Sequence, residues 1–168
     1  GASILTVQGD WINRGTFTPG SGTVAFTGAG TQLVDNYNSE TFHNFTVNNT
    51  SNTFPQIVLY GELTLNGTNW TMTDGIIETT EAEMLTVGET VVLSGGSTSA
   101  SYVTGPVTKI GANDFTFPIG DGLKFARLGI SGLLASAEFT AQYFEAPYSD
   151  ISSIGAGINH VSGYEHWT

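Results

Sequence analysis

Leu5-Thr6-Val7, Val24-Ala25-Phe26, Phe45-Thr46-Val47, Leu63-Thr64-Leu65, Leu85-Thr86-Val87 and Val107-Thr108-Lys109 share one plan. In each, a small residue stands between two larger ones, so two side chains fall on one face of a strand and Thr or Ala on the other. The first residues of these runs are 5, 24, 45, 63, 85 and 107, spaced by 19, 21, 18, 22 and 22. A recurrence near twenty residues points to stacked repeats. A second feature keeps step with it. Gly9, Gly28, Asn49, Gly67 and Gly111 come two residues after a run, and Gly88 one residue after. Gly and Asn enter left-handed backbone cheaply, so each unit reads as a strand followed by a sharp corner.

Working outward from these runs, the whole chain reads as all-β. Polar character comes from Thr, Ser, Asn and Gly rather than from Lys and Glu, and no ten-residue stretch carries an uninterrupted helical apolar period. The architecture expected is a parallel β-solenoid, right-handed β-helix-like, of about five or six coils over residues 1–112. Inward Leu, Val, Ile and Phe would stack in columns, joined by Phe17, Leu33, Phe42, Leu59, Ile77, Leu93 and Val103. Thr6, Thr46, Thr64, Thr86 and Thr108 would form one outward position of the repeat. An antiparallel sandwich also has short strands and frequent turns, but it has no reason to repeat its corner chemistry at one interval. From Asn113 the texture changes. Phe115 to Gly122 is a strand ending in a Pro-Ile-Gly-Asp-Gly turn, and Ala137 to Phe144 is a longer alternating run. Residues 113–168 are expected to form an antiparallel β cap over the open sheet edge, or to begin a following β domain. Ser149 to Gly163 reads as loop, the start Gly1-Ala2-Ser3 as a processed or cut end, and the stop after Trp167-Thr168 as a place where more chain follows.

Composition narrows the function. The 168 residues carry 15 acids against 4 bases, a formal charge of −11. Nucleic-acid binding needs clustered Lys and Arg, and Arg14, Lys109, Lys124 and Arg127 are scattered. No apolar run is long enough for a membrane helix, and the absence of cysteine removes disulfides and thiolate chemistry.

Several segments resemble repeats of large secreted cell-surface proteins of the Bacteroidota, adhesin-like and exported by the type IX route. They are Trp11 to Phe17, Gly22 to Gly28, Thr41 to Asn49, Ser101 to Lys109, the Phe117-Pro118-Ile119-Gly120 turn and the closing Tyr164-Glu165-His166-Trp167. These motifs are structural. The resemblance implies an extracellular or cell-surface location and a stalk or adhesive role, and it carries no catalytic residue across.

Catalytic constellations are weak. Arg14 near Asp10, or Lys109 facing a carboxylate of the next coil, could serve a polysaccharide lyase, and Glu62, Asp74, Glu78, Glu81 and Glu83 could supply paired carboxylates for a hydrolase. For all of them an ion pair or a solvated loop is the simpler reading. The cluster Glu78, Glu81 and Glu83 could offer oxygen ligands to Ca²⁺ but lacks the spaced pattern of a calcium loop, so no cofactor is expected. His43, His160 and His166 lie too far apart to suggest a metal site. The residues expected to bind ligand are Trp70 with Asn69 and Thr71, where a sugar ring could stack, and more weakly Tyr37. The expectation is a non-catalytic stalk with a glycan-binding face. Its partners would be cell-surface or environmental glycans, or copies of itself. The rival readings are a self-assembling filament subunit and a β-helix lyase or hydrolase.

Overall fold

The computed structural model describes residues 3–96, 98–152, 158 and 160–168, with Asn38 described for its main chain. Gly1, Ala2 and part of the loop-like stretch 149–163 therefore lie outside the described residues. The described chain is all-β, a parallel solenoid of about five coils with small antiparallel sheets at its C-terminal end. One five-stranded parallel sheet runs through Ile4–Val7, Thr23–Phe26, Asn44–Asn48, Asn69–Asp74 and Val92–Gly95. At about 4.8 Å per step, its four steps span about 19 Å.

The second sheet is two parallel columns joined at a corner. The long strands Gln32–Phe42 and Ile57–Leu65 pass through both columns. The first column holds Trp11–Ile12, the front of those two strands, Ile77–Glu78, Val103–Thr104 and Ile119–Asp121. The second holds their back halves, then Leu85–Val87 and Val107–Gly111. Parallel stacking thus runs past residue 112, since Ile119 lies in register with Val103.

Six sequence runs carried the fold, but they do not form a single file. Leu5, Val24 and Phe45 share a rung of the first sheet and continue to Trp70 and Leu93. Leu63, Leu85 and Val107 share a rung of the second. Phe45 does not stack on Leu63; the spacing of 18 between them is the step from one sheet to the other. The threonines divide in the same way. Thr6 and Thr46 align with Ala25, Thr71 and Ser94, whereas Thr41, Thr64, Thr86 and Thr108 form a separate ladder.

The inward columns account for the core. Phe26, Val47, Leu59, Leu63, Leu65, Trp70, Met72, Ile77, Leu85, Val87 and Val103 are buried and form one cluster. Phe42 and Phe45 lie 5.8 Å apart between ring centroids, and Trp11 meets Phe17 and Phe42 edge-on at 4.9 and 5.2 Å. Of the other expected inward residues, Phe17 and Leu93 pack partly buried against the cluster, while Leu33 is half-buried in register with Val58 and outside it. Leu33 lies between inward Gln32 and Val34, so alternation sends it outward.

Polar side chains take the places the corners leave inside. Gln32 Nε2 donates to the Val7 and Gly9 carbonyls at 3.1 and 2.6 Å, and its Oε1 accepts from Gly28 N and Asn49 Nδ2 at 2.9 Å each. Gln56 continues the chain of amides, donating to the Ser51 carbonyl and accepting from Ile76 N. Asn49 is thus an inward staple rather than a left-handed corner. Among the in-phase corner residues only Gly111 has a left-handed φ, 130°. Gly67 and Gly88 answer to close approach instead: a Cβ on Gly67 would land on the His43 carbonyl, and one on Gly88 would come within 2.8 Å of the Leu65 carbonyl.

Antiparallel strands close the C-terminal end of the second sheet. Lys124–Phe125 pairs antiparallel with the last strand of the first column, and Ala137–Ala141 pairs antiparallel with Val107–Gly111. Lys109 takes the core position that Phe42, Leu65 and Val87 hold in earlier coils. Its buried ammonium donates to the Gly88 and Glu89 carbonyls at 2.6 and 3.0 Å and lies 5.3 Å from the centre of the Phe115 ring. Burial lowers its pKa, against a weaker pull from Glu89.

Candidate functional site

Trp70 does not offer a surface. It is wholly buried between Phe45 and Leu93 on the first-sheet rung, and its indole N–H has no hydrogen-bond partner among the described residues. Its polar neighbours are polar because strands alternate: Asn69 and Thr71 point outward and Trp70 inward. Asn69 and Thr71 therefore stand on the opposite face from the ring. Asn69 N donates to Asn44 Oδ1 at 3.0 Å, and the Asn69 amide donates to Thr68 Oγ1 at 2.9 Å. The three residues do not form a stacking site.

Tyr37 is placed differently. The pairing of Gln32–Phe42 with Ile57–Leu65 is in register from Gln32↔Ile57 to Asp35↔Tyr60 and resumes at Ser39↔Glu62. Three residues, 36 to 38, therefore oppose the single Gly61 at the corner between the two columns. Gly61 turns this corner with φ 117°, and Gly105 turns it with φ 111° two coils on. Tyr37 turns it with φ 61°, the only non-glycine with positive φ among the described residues. The residue is 73% exposed.

The corner is held from below. Arg14 makes two hydrogen bonds to the Asp35 carboxylate, at 2.6 and 2.5 Å, and its guanidinium carbon lies 5.7 Å from the centre of the Tyr37 ring. Asp35 Oδ1 also accepts from Tyr37 N at 3.4 Å. The paired guanidinium holds the Asp35 carboxyl below the usual carboxylate range, and Asp35 in turn raises the pKa of Arg14. Asn36 points inward, its amide donating to the Glu62 carbonyl at 2.8 Å. Ile12 and Tyr60 stand on the rungs either side of Asp35 and are 64% and 51% exposed. The insertion at 36–38 was invisible to the run spacing. The extra residues fall between two strand segments that the sequence shows only as one polar stretch.

The groups considered for catalysis go to other places. Arg14 pairs with Asp35 on the next coil, while Asp10 accepts from Leu33 N at 2.9 Å. Lys109 is enclosed at the end of the core and touches main-chain carbonyls rather than a carboxylate. Glu83 accepts from Thr80 across a tight turn at 3.0 Å. Among the described residues, no group of three or more His, Asp or Glu side chains could hold a metal ion, and no helix is long and apolar enough to cross a membrane. Comparison with protein-family models, curated proteins and solved structures returns no match.

Proposed function

We propose that this chain is a non-catalytic, extracellular structural module of a larger secreted surface protein, a stiff spacer with an adhesive lateral face. The observation that carries the reading is the unbroken stack: aligned rungs with one continuous core and buried amides joining coil to coil. A body in which each coil contacts only its neighbours gains length without losing cohesion, which suits a spacer. A charge of −11 suits a soluble surface that repels its own copies. The secreted location and the larger parent protein rest on the resemblance of the repeats to Bacteroidota surface proteins.

A head-to-tail filament is disfavoured because antiparallel strands cover the C-terminal end of the second sheet. Catalysis at the two basic residues considered for it is disfavoured too. Lys109 is enclosed, and Arg14 is already neutralised by a bidentate carboxylate. Incubation with neutral and acidic polysaccharides, followed by reducing-end and unsaturated-product assays, tests the reading. It expects no turnover, together with a concentration-independent monomer whose small-angle scattering fits the stacked solenoid. Product formation, or filaments growing with concentration, would overturn it.

A further inference from the structure

We infer that the inserted corner at residues 36–38 is a binding site for a neutral glycan, with the free face of the Tyr37 ring as its stacking platform. This deepens the adhesive part of the reading above and rests on it. Three independent observations converge on this corner. It is two residues longer than the same corner of the next coil, where Gly61 alone makes the turn. It forces an aromatic residue into a left-handed conformation that costs about 1–2 kcal/mol for an L-residue. And it leaves that residue 73% exposed instead of packed. An insertion that adds strain and exposes apolar area gives the fold nothing, and such outliers concentrate where a ligand is held.

The ligand class follows from the chemistry of the surroundings. Arg14 occupies one side of the Tyr37 ring, and the ring's high exposure leaves the opposite side open. An aromatic face beside polar groups suits the C–H face of a pyranose, with hydroxyls reaching the Arg14–Asp35 pair. That pair is a donor and an acceptor with no net charge, so the corner itself gives an ionic ligand no uncompensated charge to pair with. The −11 charge of the chain opposes a polyanion outright. Tyr60, one rung further along and half exposed, lies where a second sugar unit would run with the solenoid axis.

Native affinity electrophoresis tests this, with gels containing a soluble glucan, mannan, xylan or galactan beside gels containing alginate or chitosan. At least one neutral polymer should retard the protein. Tyr37→Ala should weaken that retardation about fivefold to tenfold, Tyr37→Trp should preserve it, and Tyr164→Ala, exposed elsewhere on the surface, should leave it unchanged. Circular dichroism melts establish that each variant is folded. Retardation by charged polymers alone, no retardation by any neutral polymer, or a folded Tyr37→Ala protein that migrates like the parent would each overturn the inference. The spacer reading stands or falls separately, on the scattering profile.

Discussion

Single residues hold the clearest conflicts between local preference and the fold, and two can be measured. At Tyr37, glycine would remove the left-handed penalty and return only part of it as chain entropy. Tyr37→Gly should raise unfolding stability by about 0.5–1 kcal/mol in urea titrations while abolishing glycan retardation. Stability and binding moving in opposite directions is what a site under strain produces. Tyr102 has a wholly buried ring whose hydroxyl donates to the Gly122 carbonyl, and burial, helped by Asp121 and Glu145, pushes its pKa up to about 12. A phenol whose folded pKa exceeds its unfolded value near 10 adds stability that is intact below about pH 10 and lost as pH rises toward 12. A spectrophotometric titration should show one tyrosine ionising last, together with unfolding, and Tyr102→Phe should remove that step.

Among the strands, the type of element was legible from the sequence and the pairing partner was only half so. Alternation in Leu63-Thr64-Leu65 and Leu85-Thr86-Val87 gave the inward and outward faces correctly because a half-buried strand enforces period two, whereas at the two ends Leu5 is exposed and Thr108 is covered by Met84 and Thr140. The same alternation, applied to Asn69-Trp70-Thr71, places Trp70 inside; reading its neighbours as a polar setting led to the wrong face. The interval near twenty residues concealed two strand columns because a coil and the step between sheets have similar lengths. Corners were the least legible. A glycine needed for close approach looks the same in sequence as one needed for its φ, and Gln32 gives no sign that it will be buried between coils. These corners also make the sharper predictions. Gln32→Ala strands the Gly9 carbonyl and the Gly28 N–H and leaves the Val7 carbonyl with Thr27 N alone, and should cost more than about 2 kcal/mol in denaturant unfolding. Lys109→Ala empties a core position and leaves the Gly88 carbonyl with Val91 N and the Glu89 carbonyl with Asn113 Nδ2 as remaining donors, with an expected loss of about 2–4 kcal/mol by the same measurement, most of it from the cavity.

For the whole molecule, the account depends on which segments lie on which. The first sheet stays parallel to its last strand, Val92–Gly95, and the two columns of the second run without a change of direction until the antiparallel strands Lys124–Phe125 and Ala137–Ala141 end them. That arrangement places the Arg14–Asp35–Tyr37 corner on the side of the solenoid and sets Lys109 at the end of the core column that begins at Phe42. The chain has no cysteine, so paired substitutions report on stacking without background. Adjacent outward residues on neighbouring strands lie within disulfide reach, whereas residues on different sheets do not. The decisive measurement is mild oxidation of three double variants. Thr64→Cys with Thr86→Cys, and Thr46→Cys with Thr71→Cys, should cross-link rapidly in the folded state, and Thr46→Cys with Thr64→Cys should not. Cross-linking of the last pair, or failure of the first two in folded protein, would contradict the stacked solenoid.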